Sequence, residues 1–295
     1  MNITATRRAL AALALAAALP RAARAQASWP DRPTRLIVPF GAGGAVDTLS
    51  RTVANLFGQH TNGQTLLVEN RGGAGGSIAG QATATARPDG GTLMMADLGA
   101  NAIGRELQPS LTYDPMRAFA PICHLVNLPI VLIVKAALPV NDLASFIAYA
   151  RAQRQPMPYA HPGIGHASHL AQELLLRRAE IQMTPVPYRS GAEVMRSLIQ
   201  GETDSSFPTV ASLFPGFEAN VWHGIVGPAG LPADIIASAN RIFNAITDMP
   251  EFRRQVENNQ AAQVVGGTPA AFAQHIQAEF DRWVPLIRAG GLRAE

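Results

Sequence analysis

Lysine and cysteine are almost missing from this chain, and each absence removes a class of function. Its 295 residues include one cysteine, Cys123, and one lysine, Lys135. A lone cysteine permits no internal disulfide, and Cys123 lies too deep in the chain to anchor a lipid behind a leader. Lys135 falls in an apolar run and not in a glycine loop, so there is no phosphate-cradling Gly-Lys-Ser/Thr arrangement. Nor is there a Gly-x-Ser-x-Gly elbow, and none of the glycine segments completes a Gly-x-Gly-x-x-Gly dinucleotide fingerprint. Ser77 and Ser168 have no base or oxyanion arrangement beside them in sequence, which argues against an exported hydrolase and leaves no catalytic residue to name. The apolar run from Ala9 to Leu19 is about 11 residues, short of the roughly 20 that span a bilayer.

What is present begins with an export signal. Arg7 and Arg8 precede that apolar run, Pro20 follows it, and Ala23-Arg24-Ala25 gives a small-x-small cleavage site before Gln26, so residues 1–25 read as a secretory signal peptide. Thr6-Arg7-Arg8 admits either the general or the twin-arginine route. Removing four of the 24 basic residues and none of the 21 acidic ones leaves the mature chain at −1, so the basic balance belongs to the precursor. Nucleic-acid binding through a general positive field loses its support. An exported, disulfide-free chain suits a bacterial periplasm.

The mature chain is organised around Leu36 to Arg51. A short apolar run, Leu36 to Val38, enters a glycine turn at Gly41 to Gly44, and Val46, Leu49, Val53 and Leu56 then recur at helical spacing. Such a turn leaves N–H groups unpaired at the helix start, and glycines let a ligand approach them, so the site favours an anion. An ordinary β-to-α turn would show the same pattern. A second strand at Thr65 to Glu69, a glycine turn at Gly72 to Gly76, a helix from Ser77 to Ala86 and a strand from Thr92 to Ala96 continue the alternation. This predicts a parallel sheet covered on both faces, with ligands at the carboxyl ends of its strands. Further on, Pro129 to Lys135 reads as a strand and Val140 to Arg151 as a helix capped by Asn141 or Asp142. The opening arrangement then recurs: Pro158-Tyr159-Ala160 leads into His161-Pro162-Gly163-Ile164-Gly165-His166-Ala167-Ser168-His169 and a helix to Arg178. Helices follow from Ser190 to Gln200, Pro232 to Asp248 and Pro269 to Ala289, with a strand at Trp222 to Val226. Two strand, glycine turn and helix units predict two lobes whose helix starts face each other across a cleft.

The ordered motifs Val38-Pro39-Phe40 with Ala42-Gly43-Gly44 and Asp47, Val68-Glu69-Asn70-Arg71 with Gly73 to Gly76, Pro88-Asp89-Gly90, Tyr113-Asp114-Pro115, Gly163 with Gly165 and His169, Pro187-Tyr188 and Pro215-Gly216-Phe217-Glu218 run through nearly all of the mature chain. Together they resemble the substrate-binding proteins of tripartite tricarboxylate transporters, the Bug or TctC family. The resemblance implies an α/β, type II periplasmic binding fold of two lobes: residues 26–125 with 225–295, and residues 126–224. It implies a monomer that closes on a small di- or tricarboxylate or related organic acid and docks transporter permease subunits, or in other settings a sensor protein. It implies no cofactor and no metal. By the same resemblance the ligand is held by the loop Phe40, Gly41, Ala42, Gly43 and Gly44, by Gly99, and by Gly163, Gly165, His166, Ala167 and His169, largely through backbone N–H groups. Asp47, a carboxylate in the first helical turn, would brace the loop or meet a ligand amine.

Two features depart from the family pattern. His166 stands where a Ser or Thr is usual, replacing a hydroxyl donor with an imidazole. Between Asp204 and Pro208 the chain lacks roughly thirty residues, about one βαβ-type crossover. That loss would remove an interlobe connection, open a sheet edge or mark a defunct copy. His161, His166 and His169 could be read as a metal cluster, but no carboxylate or cysteine lies near them in sequence. Arg71 and Arg189 are the cations nearest the glycine loops.

Overall fold

The computed structural model describes residues 29–207 and 220–291, so the signal segment lies outside the described residues. Two sheets carry the fold. The chain opens with β1 (Thr34–Val38), α1 (Ala45–Phe57), β2 (Leu66–Asn70), α2 (Ser77–Ala84) and β3 (Thr92–Ala96), then passes α3 (Gly104–Leu107) to the long β4 (Phe119–Pro129). It next enters the second sheet through β5 (Ile133–Val134), α4 (Leu143–Ala152), β6 (Met157–His161), α5 (Ala167–Ala179), β7 (Met183–Pro187), α6 (Gly191–Gln200) and β8 (Ser205–Ser206). It returns as β9 (Asn220–Pro228) and finishes with α7 (Ala233–Asp248), α8 (Pro250–Gln260), β10 (Gln263–Val264) and α9 (Pro269–Gly290).

The first sheet has the order β10-β4-β9-β3-β1-β2, the second β5-β8-β6-β7. β1 pairs in parallel with β2 and β3, as the alternation predicts, but β9 is antiparallel to both neighbours, β3 and β4. The expectation of a purely parallel sheet is therefore corrected. β9 comes back from the other lobe, so it enters the sheet from the opposite side. The second sheet repeats the plan: β6 is parallel to β7 and β8, and β5, the strand arriving from the first lobe, is antiparallel to β8. The two sheets then differ. In the first, β4 lies beyond the antiparallel strand; in the second, among the described residues, no strand pairs with the outer edge of β5.

Local chemistry explains the elements that frame the cleft. α1 buries Val46, Leu49, Val53, Leu56 and Phe57 at spacings of three and four, each worth about 1.5–3 kcal/mol of burial. β3 is buried along its whole length, as a central strand covered on both faces should be. α4 starts at Leu143 and not at Val140, because Asp142 accepts from the Ser145 N–H while the Ser145 hydroxyl accepts from the Asp142 N–H. The strand expected over Pro129 to Lys135 is displaced: the long strand precedes it and ends at Pro129, Ile130 makes a single bridge, and the short strand Ile133–Val134 follows.

Candidate functional site

Glycine loops bring the two lobes into backbone contact. The Gly41 N–H, after β1, donates to the Arg189 carbonyl before α6 at 3.1 Å. A Cβ on Gly44 would stand 3.4 Å from the Gly191 nitrogen, and one on Gly99 would stand 3.3 Å from the Gly165 carbonyl oxygen. A Cβ on Gly75 would meet the Ile164 carbonyl oxygen at 2.1 Å, and Gly75 holds a left-handed φ of 61°. The lobes are closed against each other, and side chains at these points would hold them apart.

Asp47 organises the first loop. Its carboxylate accepts from the Gly43 N–H at 2.9 Å, from Arg51 Nε at 3.0 Å and from Asn70 Nδ2 at 3.0 Å, while Asn70 Nδ2 also reaches the Phe40 carbonyl at 3.0 Å. Burial works against its charge, but the hydrogen bonds from Arg51, Gly43 and Asn70 outweigh it and hold the carboxyl below its usual range. Asp47 therefore fixes the loop from behind. Arg71 is taken up by Glu69, with its terminal nitrogen at 2.6 Å.

The second loop is stitched by its histidines. The Nδ1 atoms of His161, His166 and His169 accept from the N–H groups of Gly163, Ser168 and Gly165 at 3.3, 3.1 and 3.4 Å. Desolvation by burial pushes all three well below the ordinary histidine value, to about 3, 3 and 4. Each is a neutral imidazole with its proton on Nε2. His166 caps α5, and its ring meets the Phe40 ring edge-on across the lobes at 5.0 Å.

Between the loops lies a cavity of about 390 Å³. The starts of three helices reach it: Gly44 and Ala45 at α1, His166 and Ser168 at α5, Gly191 and Ala192 at α6. Their first N–H groups have no partners within their own helices, and their dipoles add positive potential. Ile133, Val194, Met195 and Phe207 form an apolar wall opposite, and among the described residues no lysine, arginine or carboxylate side chain lines the cavity. Of the residues the sequence proposed, Phe40, Gly43, Gly44 and His166 line it. Gly163 lines a neighbouring cavity with Arg189, and Gly99 a small one with Gly75 and Ile164. Gly41 bridges the lobes, Ala42 is exposed, and Gly165, Ala167 and His169 shape the turn beneath. Sequence reasoning missed the α6 start, the apolar wall and His223, which reaches the cavity from β9. The Ser190 cap before Gly191 was the one available signal.

Comparison with known proteins decides the family. The model described as "Tripartite tricarboxylate transporter family receptor" matches residues 49–215. The chain belongs to this family. It is 30% identical to a UPF0065 protein from the tcbD-tcbE intergenic region of a Pseudomonas species, covering 95% of this chain and 93% of that one, and 27% identical to BugT of Bordetella pertussis over 90% and 91%. The Pseudomonas alignment runs over 320 positions, longer than the 295-residue chain, so that relative carries residues with no counterpart here. Among solved structures, Rpa4515 of R. palustris with adipate superposes with a TM-score of 0.83 at 28% identity, over 89% of this chain and 98% of that one. MatC of Rhodopseudomonas palustris with bound malate gives 0.82 at 27%, over 88% and 100%, and the periplasmic binding protein BugD 0.84 at 26%, over 90% and 100%. The fold is that of the periplasmic binding proteins, and the family is one of solute receptors.

Proposed function

We propose that the protein captures a small organic carboxylate in the periplasm, between two lobes divided near residues 125 and 225, and presents it to the membrane subunits of a tripartite tricarboxylate transporter. One observation carries this: three helix starts from both lobes converge on one cavity that no charged side chain lines among the described residues. An anion there is neutralised by backbone N–H groups and helix dipoles, with no cation to bury. The adipate and malate held by two structural neighbours support a carboxylate ligand. Phe40, Gly43, Gly44 and His166 would touch it directly. Gly41, Ala42, Asp47, Gly99, Gly163, Gly165, Ala167 and His169 would hold the loops and permit closure. Closure carries the signal to the permease, because only the liganded form buries the anion and presents both lobes in one fixed arrangement.

The test is thermal unfolding of the protein, expressed with its own leader and purified from the periplasm, with a panel of dicarboxylates, tricarboxylates, aromatic acids and acidic amino acids. A bound acid at about 100 times its dissociation constant adds about 2.7 kcal/mol, a visible rise in midpoint. A rise with at least one class is expected. A cooperative transition that no acid moves would contradict the proposal, and a mature terminus other than Gln26 would contradict the expected cleavage site.

A further inference from the structure

The carboxylate-binding proposal leaves two buried polar atoms of the cavity unused. His223 and Ser206 both line it, each is 1% exposed, and His223 Nε2 and Ser206 Oγ have no hydrogen-bond partner among the described residues. The state of His223 follows from its other nitrogen. Nδ1 lies 3.2 Å from the Ala96 carbonyl, which only accepts, so Nδ1 carries the proton and Nε2 offers a lone pair. Burial pushes His223 down to about 4, which keeps it neutral. His166 is the reverse: its Nδ1 accepts from Ser168, so its Nε2–H donates. The cavity therefore presents one imidazole donor at the helix starts and one imidazole acceptor deeper in, with a serine hydroxyl able to do either.

A carboxylate has acceptors only, so it satisfies the helix starts and His166 but would face the lone pair of His223 repulsively. The remaining wall, Ile133, Val194, Met195 and Phe207, offers no donor set to a second anion, and desolvating one there is costly. At about 390 Å³ the cavity falls within the roughly 300–1,000 Å³ of pockets that hold drug-sized ligands, so a substantial apolar body fits. We infer that the ligand is a monocarboxylate whose apolar body carries a hydroxyl group, with the carboxylate at the helix starts and the hydroxyl donating to His223 Nε2. This rests on the carboxylate-binding proposal and adds the ligand's class.

Calorimetric titration with matched acids tests it: 3-phenylpropanoate, its counterparts hydroxylated on the chain or the ring, and 1,4-phenylenediacetate as a diacid of similar size. At least one hydroxylated monoacid should bind about tenfold more tightly than both the parent and the diacid, the factor for one buried hydrogen bond at the upper end of its usual range. His223→Phe should bring that acid to parity with the parent, and His223→Gln, which restores an acceptor, should recover part of the advantage. If His223→Phe fails to fold, the ranking on the unaltered protein decides. A parent acid or diacid that binds as tightly as every hydroxylated acid overturns this inference and leaves the carboxylate proposal standing. No binding by any acid, here or in the broader panel, overturns both.

Discussion

Gly75 shows how single residues control the site. Its φ of 61° and the 2.1 Å approach of a hypothetical Cβ to the Ile164 carbonyl oxygen mean that alanine there is tolerated by neither the backbone nor the opposite lobe. Gly75→Ala should lower stability by about 1–2 kcal/mol for the left-handed backbone. Ligand affinity should fall at least tenfold, because the bound state requires the closed lobes. Denaturation and calorimetry on the same sample check both, and unchanged affinity would show that closure is not needed. Much of this was visible in the sequence, since glycine runs between a strand and a helix mark backbone that must turn sharply or be approached closely. Asp47 stood out by its place in the first helical turn, which left open whether it braces the loop or meets a ligand amine; its bond to the Gly43 N–H is seen only in the structure. The place of His223 was not, because β9 brings it to the cavity only through the pairing of β9 with β3 and β4. Nothing near it in sequence marks that neighbourhood.

At the scale of elements, the proposed site is built on helix starts, so their caps should matter. Ser190 accepts the Glu193 N–H at 3.2 Å and sets the first turn of α6 beside the first loop. Ser190→Ala should cost about 1 kcal/mol in the unfolding free energy and weaken ligand binding through the Gly191 and Ala192 amides, and an effect on neither would remove α6 from the site. Strands and helices with strong periodicity were legible before any coordinates. β4 was not, because Pro121 and Pro129 make its sequence look irregular. A register shift between Pro121 and Cys123 accommodates the first proline, and Pro129 ends the strand. α8 escaped notice because it buries only Phe252 and Val256, too narrow a stripe among polar residues to stand out. Among the described residues no strand pairs with the outer edge of β5, whereas the first sheet sets β4 beside β9 in the corresponding place.

For the whole molecule, buried neutral histidines set the response to acid. His124, His161, His166, His169, His223 and His275 are all pushed below the ordinary value of 6.5 by burial. The unfolded chain protonates them first, so the stability tied to their neutral forms is present above about pH 6.5 and is lost as the pH falls toward 4, by up to about 1.4 kcal/mol per group per pH unit. Asp97 acts in the opposite sense. Burial raises its carboxyl to about 7, above the unfolded value, so its contribution is present at low pH and lost as the pH rises toward 7. Six groups against one give a net loss on acidification, and the unfolding midpoint should fall steadily between pH 6.5 and 4.5. A flat profile would mean that these histidines are hydrated in solution.

The central claim is that an acid is held between the lobes by backbone N–H groups, and amide hydrogen exchange with and without a bound carboxylate measures those groups directly. Exchange should slow at the starts of α1 and α6, at Gly44, Ala45, Gly191 and Ala192, on both lobes together. Tight binding that slows amides on one lobe alone, or only away from the helix starts, would contradict it.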